Sequence, residues 1–414
     1  VSDSDGGRLV TYGYRVGEVP LPTIKEVKVS TRVKFDTSKL NVKDRFPVRV
    51  SLGCNVKGVA QPVPDPSDPQ TVLAGSLKRF ACEPPKCDDE KLSRFGAFVD
   101  KWIHDNLRPL PCDTDVSFET WIVNRPYPEC RINELFMLWK KYGGRLVDIV
   151  AIVKSFLKDE SYDIQPGATE YKHGRAINSR HDLFKITVGP YFSAIENVLY
   201  ELPQFIKHVP VSDRGNYIYN YIYSPDATYF ETDYETFESL FRKKLMMLCE
   251  MKLYKFMLQD LPSGLLVYKL IERVLTGKNK CFFRGFRLDL LATRMSGEMN
   301  TSLGNGFSNL MFMLFLCSEK GCSDVRMVVE GDDGLGRVTG EMPTTEDFAS
   351  LGLRVKLLKH RRLSTAGFCG LIFDETDKIV VTDPYDVLAN FGWTTRRYLN
   401  SKDSVHKALL RCKA

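Results

Sequence analysis

Apolar residues recur at steps of three and four through several stretches of this chain, which marks one buried face of a helix. From Asp89 to Leu107 the positions are Leu92, Phe95, Phe98, Val99, Trp102 and Ile103, and an amphipathic helix is predicted there. The same spacing predicts helices in Ile132 to Tyr142, Leu146 to Leu157, Ile195 to Leu202 and Phe237 to Leu258. Residues 1–45 read differently: Arg8 to Val16 and Thr23 to Phe35 are β-prone pieces without helical period, expected to form an N-terminal arm. Pro62, Pro64, Pro66, Pro69, Pro84 and Pro85 predict a long surface connection between residues 53 and 90. After Ser224, short apolar strands beside turn signals alternate with helices, which predicts an α+β domain.

Composition narrows the class. In 414 residues, 43% are hydrophobic and 27% charged, values of an ordinary globular protein that exclude disorder, collagen-like repeats and coiled coil for the whole. Apolar runs such as Leu310 to Cys317 fall far short of the roughly 18 residues that cross a bilayer, so no membrane span is expected. The chain opens on Val1, as expected of a segment excised from a longer precursor. Eleven cysteines are too dilute for a disulfide scaffold, and Cys82 with Cys87 lacks the second pair that a zinc site needs. Reduced thiols are expected. Neither a GxxxxGK[ST] loop nor an HExxH pair is present, which disfavours P-loop hydrolysis and zincin chemistry.

The net charge of +6 is modest, but its distribution is uneven. Lys172, His173, Arg175, Arg180 and Lys185 cluster against little acid, and Arg354 to Arg362 holds six basic or histidine side chains. Such stretches suit a polyanion partner, although a solvated face has the same composition.

Four features carry candidate chemistry. Met327 to Leu335 is an apolar run entering Glu330-Gly331-Asp332-Asp333-Gly334, which reads as a β-hairpin with two carboxylates at its tip. A polar turn alone has the same letters. The run Thr228 to Asp233 brings a third carboxylate to the end of a strand, before the helix from Phe237. If the two segments pair, Asp233, Asp332 and Asp333 form an oxygen-rich set suited to Mg²⁺. Ser296 and Gly297 form a loop ahead of a helix on which Thr301 and Asn305, four apart, share a face. Capping would use the same residue types. Finally, Lys158 and then Lys172 to Arg180 place cations along an extended segment, able to meet a polyphosphate.

Basic segment, first aspartate, Ser-Gly-x3-Thr-x3-Asn and Gly-Asp-Asp follow one another in the order of the right-hand polymerases. The chain resembles the RNA-dependent RNA polymerases of positive-strand RNA viruses. The texture of Phe156 to Glu160, Glu330 to Leu335 and Asp383 to Leu388 is similar to tombusvirus-like polymerases. The resemblance runs from about Phe156 to Phe373, roughly half the chain.

It implies an α+β right-hand fold with fingers, an antiparallel palm sheet and a thumb, the fingers closing over the site. The implied division is an N-terminal arm (1–45), fingers (46–224), a palm (225–374) with a fingers insertion at about 259–292, and a small or truncated thumb (375–414). It also implies that Asp233, Asp332 and Asp333 bind two Mg²⁺ or Mn²⁺ ions, and that Ser296, Gly297, Thr301 and Asn305 address the template and the incoming ribose. Lys158, Lys172, Arg175 and Arg180 would contact the triphosphate, and Phe368 and Cys369 would lie in the primer grip. Lys356, preferred to Lys359, would protonate the leaving pyrophosphate. Glu238 stands where the family usually has an aspartate that selects ribose. The implied partners are an RNA template and product strand, ribonucleoside triphosphates and other viral replication proteins, in the host cell cytoplasm at replication complexes. A reverse transcriptase and a catalytically silent RNA-binding subunit are the rival readings.

Overall fold

The computed structural model describes residues 2–5, 8–16, 23–25, 27–31, 47–52, 55–56, 60–143, 152–162, 171–225 and 227–395. The first described residues form the short strands β1 (Ser2–Asp5), β2 (Arg8–Tyr12), β3 (Lys28–Thr31) and β4 (Pro47–Ser51). The proline-rich stretch, expected to be a surface connection, instead holds helix α1 (Pro69–Ala81), with Phe80 and Ala81 buried. Pro69 starts this helix rather than breaking it, because its missing N–H falls in the first turn, where no helical partner exists. The Asp68 carboxylate caps the turn by accepting from the Thr71 N–H at 3.0 Å.

Helix α2 (Asp89–Asn106) follows the apolar period, burying Leu92, Phe95, Val99 and Ile103. Next come α3 (Phe118–Val123) and α4 (Glu129–Tyr142). The helix expected over 146–157 is a strand where it is described, β5 (Ile152–Leu157); the rest of it lies outside the described residues. Exposure alternates along β5, with Val153, Ser155 and Leu157 buried and Ile152, Lys154 and Phe156 exposed. Two neighbouring strands fix that period of two, which a short apolar run cannot distinguish from a helical one.

The chain continues through β6 (Ala176–Arg180), α5 (Asp182–Leu199), α6 (Arg214–Ile222) and β7 (Thr228–Tyr234). The long helix expected over 237–258 is broken into α7 (Phe237–Leu240), α8 (Lys243–Leu248) and α9 (Glu250–Leu258). Phe241 is extended and Cys249 leaves helical geometry, with φ −117° and ψ −96°. Then follow α10 (Gly264–Leu275), β8 (Lys278–Phe282), β9 (Phe286–Leu291) and α11 (Thr301–Glu319). The last segment comprises β10 (Ser323–Glu330), β11 (Asp333–Thr339), α12 (Thr345–Ser350), β12 (Val355–His360), β13 (Gly367–Phe368), β14 (Leu371–Asp374), β15 (Ile379–Thr382), α13 (Pro384–Asn390) and β16 (Trp393–Thr395).

Mixed helices and sheets make this an α+β chain. The sheet that matters for chemistry is antiparallel, in the order β10-β11-β7-β12. Its two faces bury different things, as the strand period of two requires. Phe230, Tyr234, Met327 and Val329 join a large core with Phe95, Phe192, Phe307 and Phe312 from helices α2, α5 and α11. Tyr229, Val328 and Leu335 pack on the opposite face with Ile218 of α6 and Phe368 of β13. A second sheet, β3-β9-β8-β5-β6, is covered by α1 through Val72, Leu77 and Phe80. The other sheets are β1-β2-β4-β16, which pairs residues near both ends of the described chain, and β13-β14-β15.

Candidate active site

The carboxylates are placed by strand register. Thr232 of β7 pairs with Gly334 of β11, and on the other side Asp233 pairs with Lys356 of β12. One step beyond the Thr232 pair, Asp233 is level with Asp333, so both share the sheet face that also carries Glu231 and Tyr229. Glu330 and Asp333 close the β10–β11 hairpin, leaving Gly331 and Asp332 as its two-residue turn. Gly331 adopts φ +64°, as a tight hairpin turn demands at its first central position.

Three carboxylates gathered this way repel. The Asp233 carboxyl, though exposed, is pushed above the usual carboxylate range by partial desolvation first and by the Asp332 charge, with Lys356 opposing. Asp333 is pushed up to about 6 by partial desolvation and then by Asp332, while the Cys369 thiol hydrogen bond opposes the rise. Hard oxygen donors that raise one another's pKa are a donor set that a divalent cation relieves. In donor type the residues fit Mg²⁺ or Mn²⁺. Among the described residues, however, no group of three or more His, Cys, Asp or Glu stands at metal-binding spacing.

Lys356 and Lys359 are separated by the same register. Lys356 faces Asp233, whereas Lys359 pairs with Phe230 and belongs to the opposite face. Behind the carboxylate turn, the Asn309 side-chain amide of α11 donates to the Asp332 carbonyl at 2.9 Å. The Tyr234 hydroxyl donates to Asn309 Oδ1 at 3.1 Å.

The Ser296-Gly297 loop is fastened to β6. The Asn178 N–H donates to the Ser296 carbonyl at 2.7 Å, and the Ser296 hydroxyl donates to the Ala176 carbonyl at 3.2 Å. Gly297 has φ +100°, and a Cβ there would lie 2.7 Å from the Asn178 carbonyl oxygen. The Thr301 hydroxyl closes the loop on itself, accepting from the Gly297 N–H and donating to the Met295 carbonyl, both at 3.2 Å. Asn305 is buried on the same helix, its Oδ1 without a hydrogen-bond partner.

The basic residues divide. Arg175 grips Glu160 with two nitrogens at 2.5 Å, Lys158 reaches the same carboxylate at 2.8 Å, and the Tyr162 hydroxyl donates to it at 2.6 Å. Arg175 remains half exposed. Lys172 is exposed, its carbonyl accepting from the Tyr14 hydroxyl at 2.6 Å. Arg180 does not line an open channel: it is buried in an ion pair with Glu298 and lies 5.5 Å from the centre of the Phe184 ring. Its charge is compensated inside the protein, beside the Ser296 loop.

Glu238 is buried and paired with Arg79 of α1. Its carboxyl is raised by burial, with Arg79 opposing and the Asp332 charge adding to the rise. In the β13–β14 hairpin Phe368 is buried, and Cys369 takes a left-handed backbone with φ +53°. The Gly367 N–H donates to the Glu231 carboxylate at 2.5 Å, tying this hairpin to β7. Arg79, Asn309, Glu160 and Glu298 were not assigned roles from the sequence. Only Asn309 left a signal there, as a polar residue inside an apolar helix, four positions after Asn305.

Residues 247–341 match the family of viral RNA dependent RNA polymerases. The match spans less than a quarter of the chain; it takes in Ser296, Asn305, Asp332 and Asp333 and leaves Asp233, Glu238 and Lys356 outside. No curated protein matches the chain. The family match indicates an RNA-dependent RNA polymerase, and with it a nucleotidyltransferase.

Proposed function

We propose that the chain carries out template-directed RNA synthesis in viral genome replication and transcription, moving nucleotides from ribonucleoside triphosphates to an RNA 3′-hydroxyl. One observation carries this reading: β7 pairs with β11 and β12 so that Asp233, Asp333 and Lys356 share one face beside the Asp332 turn. In this reading Asp233, Asp332 and Asp333 would hold two Mg²⁺ or Mn²⁺ ions, which supply charge neutralisation at the attacking 3′ oxygen and the leaving pyrophosphate.

The remaining chemistry belongs to the chain itself. Lys356, opposite Asp233, delivers a proton to the pyrophosphate as it departs. Arg175, Lys158 and Lys172 neutralise the incoming triphosphate, the first two exchanging Glu160 for phosphate oxygens. Arg180 supports them from behind, by fixing β6 to the Ser296 loop through Glu298. Glu238, Thr301 and Asn305 address the ribose, Ser296 and Gly297 follow the template, and Phe368 and Cys369 steady the primer end. Rate enhancement then comes from positioning and electrostatics, as phosphoryl transfer requires.

The right-hand architecture belongs to the same proposal, with arm, fingers, palm, insertion and small thumb divided as the sequence suggests. So do kinship with tombusvirus-like polymerases, partnership with other viral replication proteins and a place at cytoplasmic replication complexes. Among the described residues no helix is long and apolar enough to cross a membrane. The test is extension of primed and unprimed RNA with each divalent ion. Templated incorporation of ribonucleotides is the expected result. RNA binding without extension under every condition would overturn the proposal in favour of a silent replication subunit.

A further inference from the structure

Arg79 lies far in sequence from every motif named above. It belongs to α1, which is anchored to the five-stranded sheet by Val72, Leu77 and Phe80. Its guanidinium nonetheless crosses to α7 and pairs with Glu238, 159 residues away in sequence. Both side chains are largely withdrawn from solvent, at 18% and 6% exposure, and the Arg79 Nε has no hydrogen-bond partner of its own. Glu238 also feels the Asp332 charge, so it stands within electrostatic reach of the catalytic turn.

A carboxylate this buried is costly unless a cation balances it, and Arg79 is the cation that the chain supplies. An ionised carboxylate is purely an acceptor, so it has use for a ribose 2′-hydroxyl and none for a 2′-hydrogen. A site built to accept a hydroxyl rejects the analogue that lacks it, because its own polar atom is then left unpaired. This discrimination depends on where the carboxylate points. Arg79 engages Glu238 through Oε1, one of its two carboxylate oxygens.

We propose that Arg79 is a positioning residue for sugar selection: by holding Glu238, it sets the preference for ribonucleotides over 2′-deoxyribonucleotides. The inference rests on the polymerase reading and goes beyond it, giving α1 a part in substrate choice. Arg79 itself touches no substrate.

The test is a cycle of variants read by the ratio of kcat/KM for a ribonucleotide to that for the matching 2′-deoxynucleotide on a primed RNA. Arg79→Gln is expected to lower the ratio about tenfold, the scale of one charge-assisted hydrogen bond. Glu238→Gln should lower it similarly. The double variant should fall no further than Glu238→Gln alone, since both changes remove one device. Arg79→Lys, which keeps the charge, should restore most of the ratio and guards against a simple folding defect. An unchanged ratio in Arg79→Gln, or a loss that adds to that of Glu238→Gln, overturns the inference while leaving the polymerase reading in place. A wild-type protein that extends no RNA overturns both.

Discussion

The Asn309 side chain holds the main-chain carbonyl of Asp332 from behind, at 2.9 Å, and through its own oxygen receives the Tyr234 hydroxyl at 3.1 Å. One buried amide thus joins three elements: helix α11, the end of β7 beside Asp233, and the β10–β11 turn. Because Tyr234 and Asp233 are consecutive, this link sets the distance between the strand that carries one carboxylate and the turn that carries another.

Asn309→Ala should therefore impair catalysis more than binding. The change leaves a buried tyrosine hydroxyl and a carbonyl without their partner, a loss of about 1–3 kcal/mol in unfolding free energy. Denaturant midpoints check the stability, and single-turnover elongation checks the rate. A variant with lowered stability but unaltered kcat would show that the link serves folding alone.

Gly297→Ala should be destabilising. At φ +100° a side chain is rarely tolerated, and the added carbon would stand 2.7 Å from the Asn178 carbonyl oxygen. The expected cost is about 1–3 kcal/mol, with slower elongation because the loop must leave β6. Thermal unfolding and elongation rates check both parts.

Acid should weaken the basic segment. Burial pushes the Glu160 carboxyl up, but hydrogen bonds from Arg175, Lys158 and Tyr162 outweigh it and bring the group down to about 2, below its ordinary 4.5. A carboxylate depressed by folding contributes stability above its unfolded pKa and loses it as pH falls toward its folded pKa. The difference in melting temperature between wild type and Glu160→Gln should be largest above pH about 4.5 and should vanish as the pH approaches about 2. A difference independent of pH would show that the Glu160 charge is not what holds the segment.

Much of this site was legible locally. The Gly331 turn, the strand ending near Asp233 and the helix bearing Thr301 and Asn305 each follow from short-range periods and turn chemistry. What stayed hidden were long-range pairings. Arg79 meets Glu238 across 159 residues, and Arg180 meets Glu298 across 118. A basic residue's letter does not say whether its charge is spent inside the fold. Strand β5 is hidden because Ile152, Val153, Phe156 and Leu157 recur at helical steps of three and four, whereas the strand buries only Val153 and Leu157 of the four. Helix α1 is hidden because Pro69, a residue type that breaks helices elsewhere, stands in the first turn, where it is tolerated.

Arg175→Ala should raise the KM for ribonucleoside triphosphates, by roughly tenfold for a guanidinium that pairs with phosphate, while kcat changes little. Steady-state kinetics on a primed template check this. An unchanged KM would remove Arg175 from the triphosphate site.

The convergence of Asp233 with the Asp332-Asp333 turn is tested most directly by parallel measurement of RNA elongation and RNA affinity in Asp233→Asn and Asp332→Asn, with Mg²⁺ and with Mn²⁺. The expected result is a fall in elongation of roughly 100-fold or more in each variant, with RNA affinity nearly unchanged, since the carboxylates and the basic segment do separate work. Elongation near the wild-type rate in either variant would contradict it.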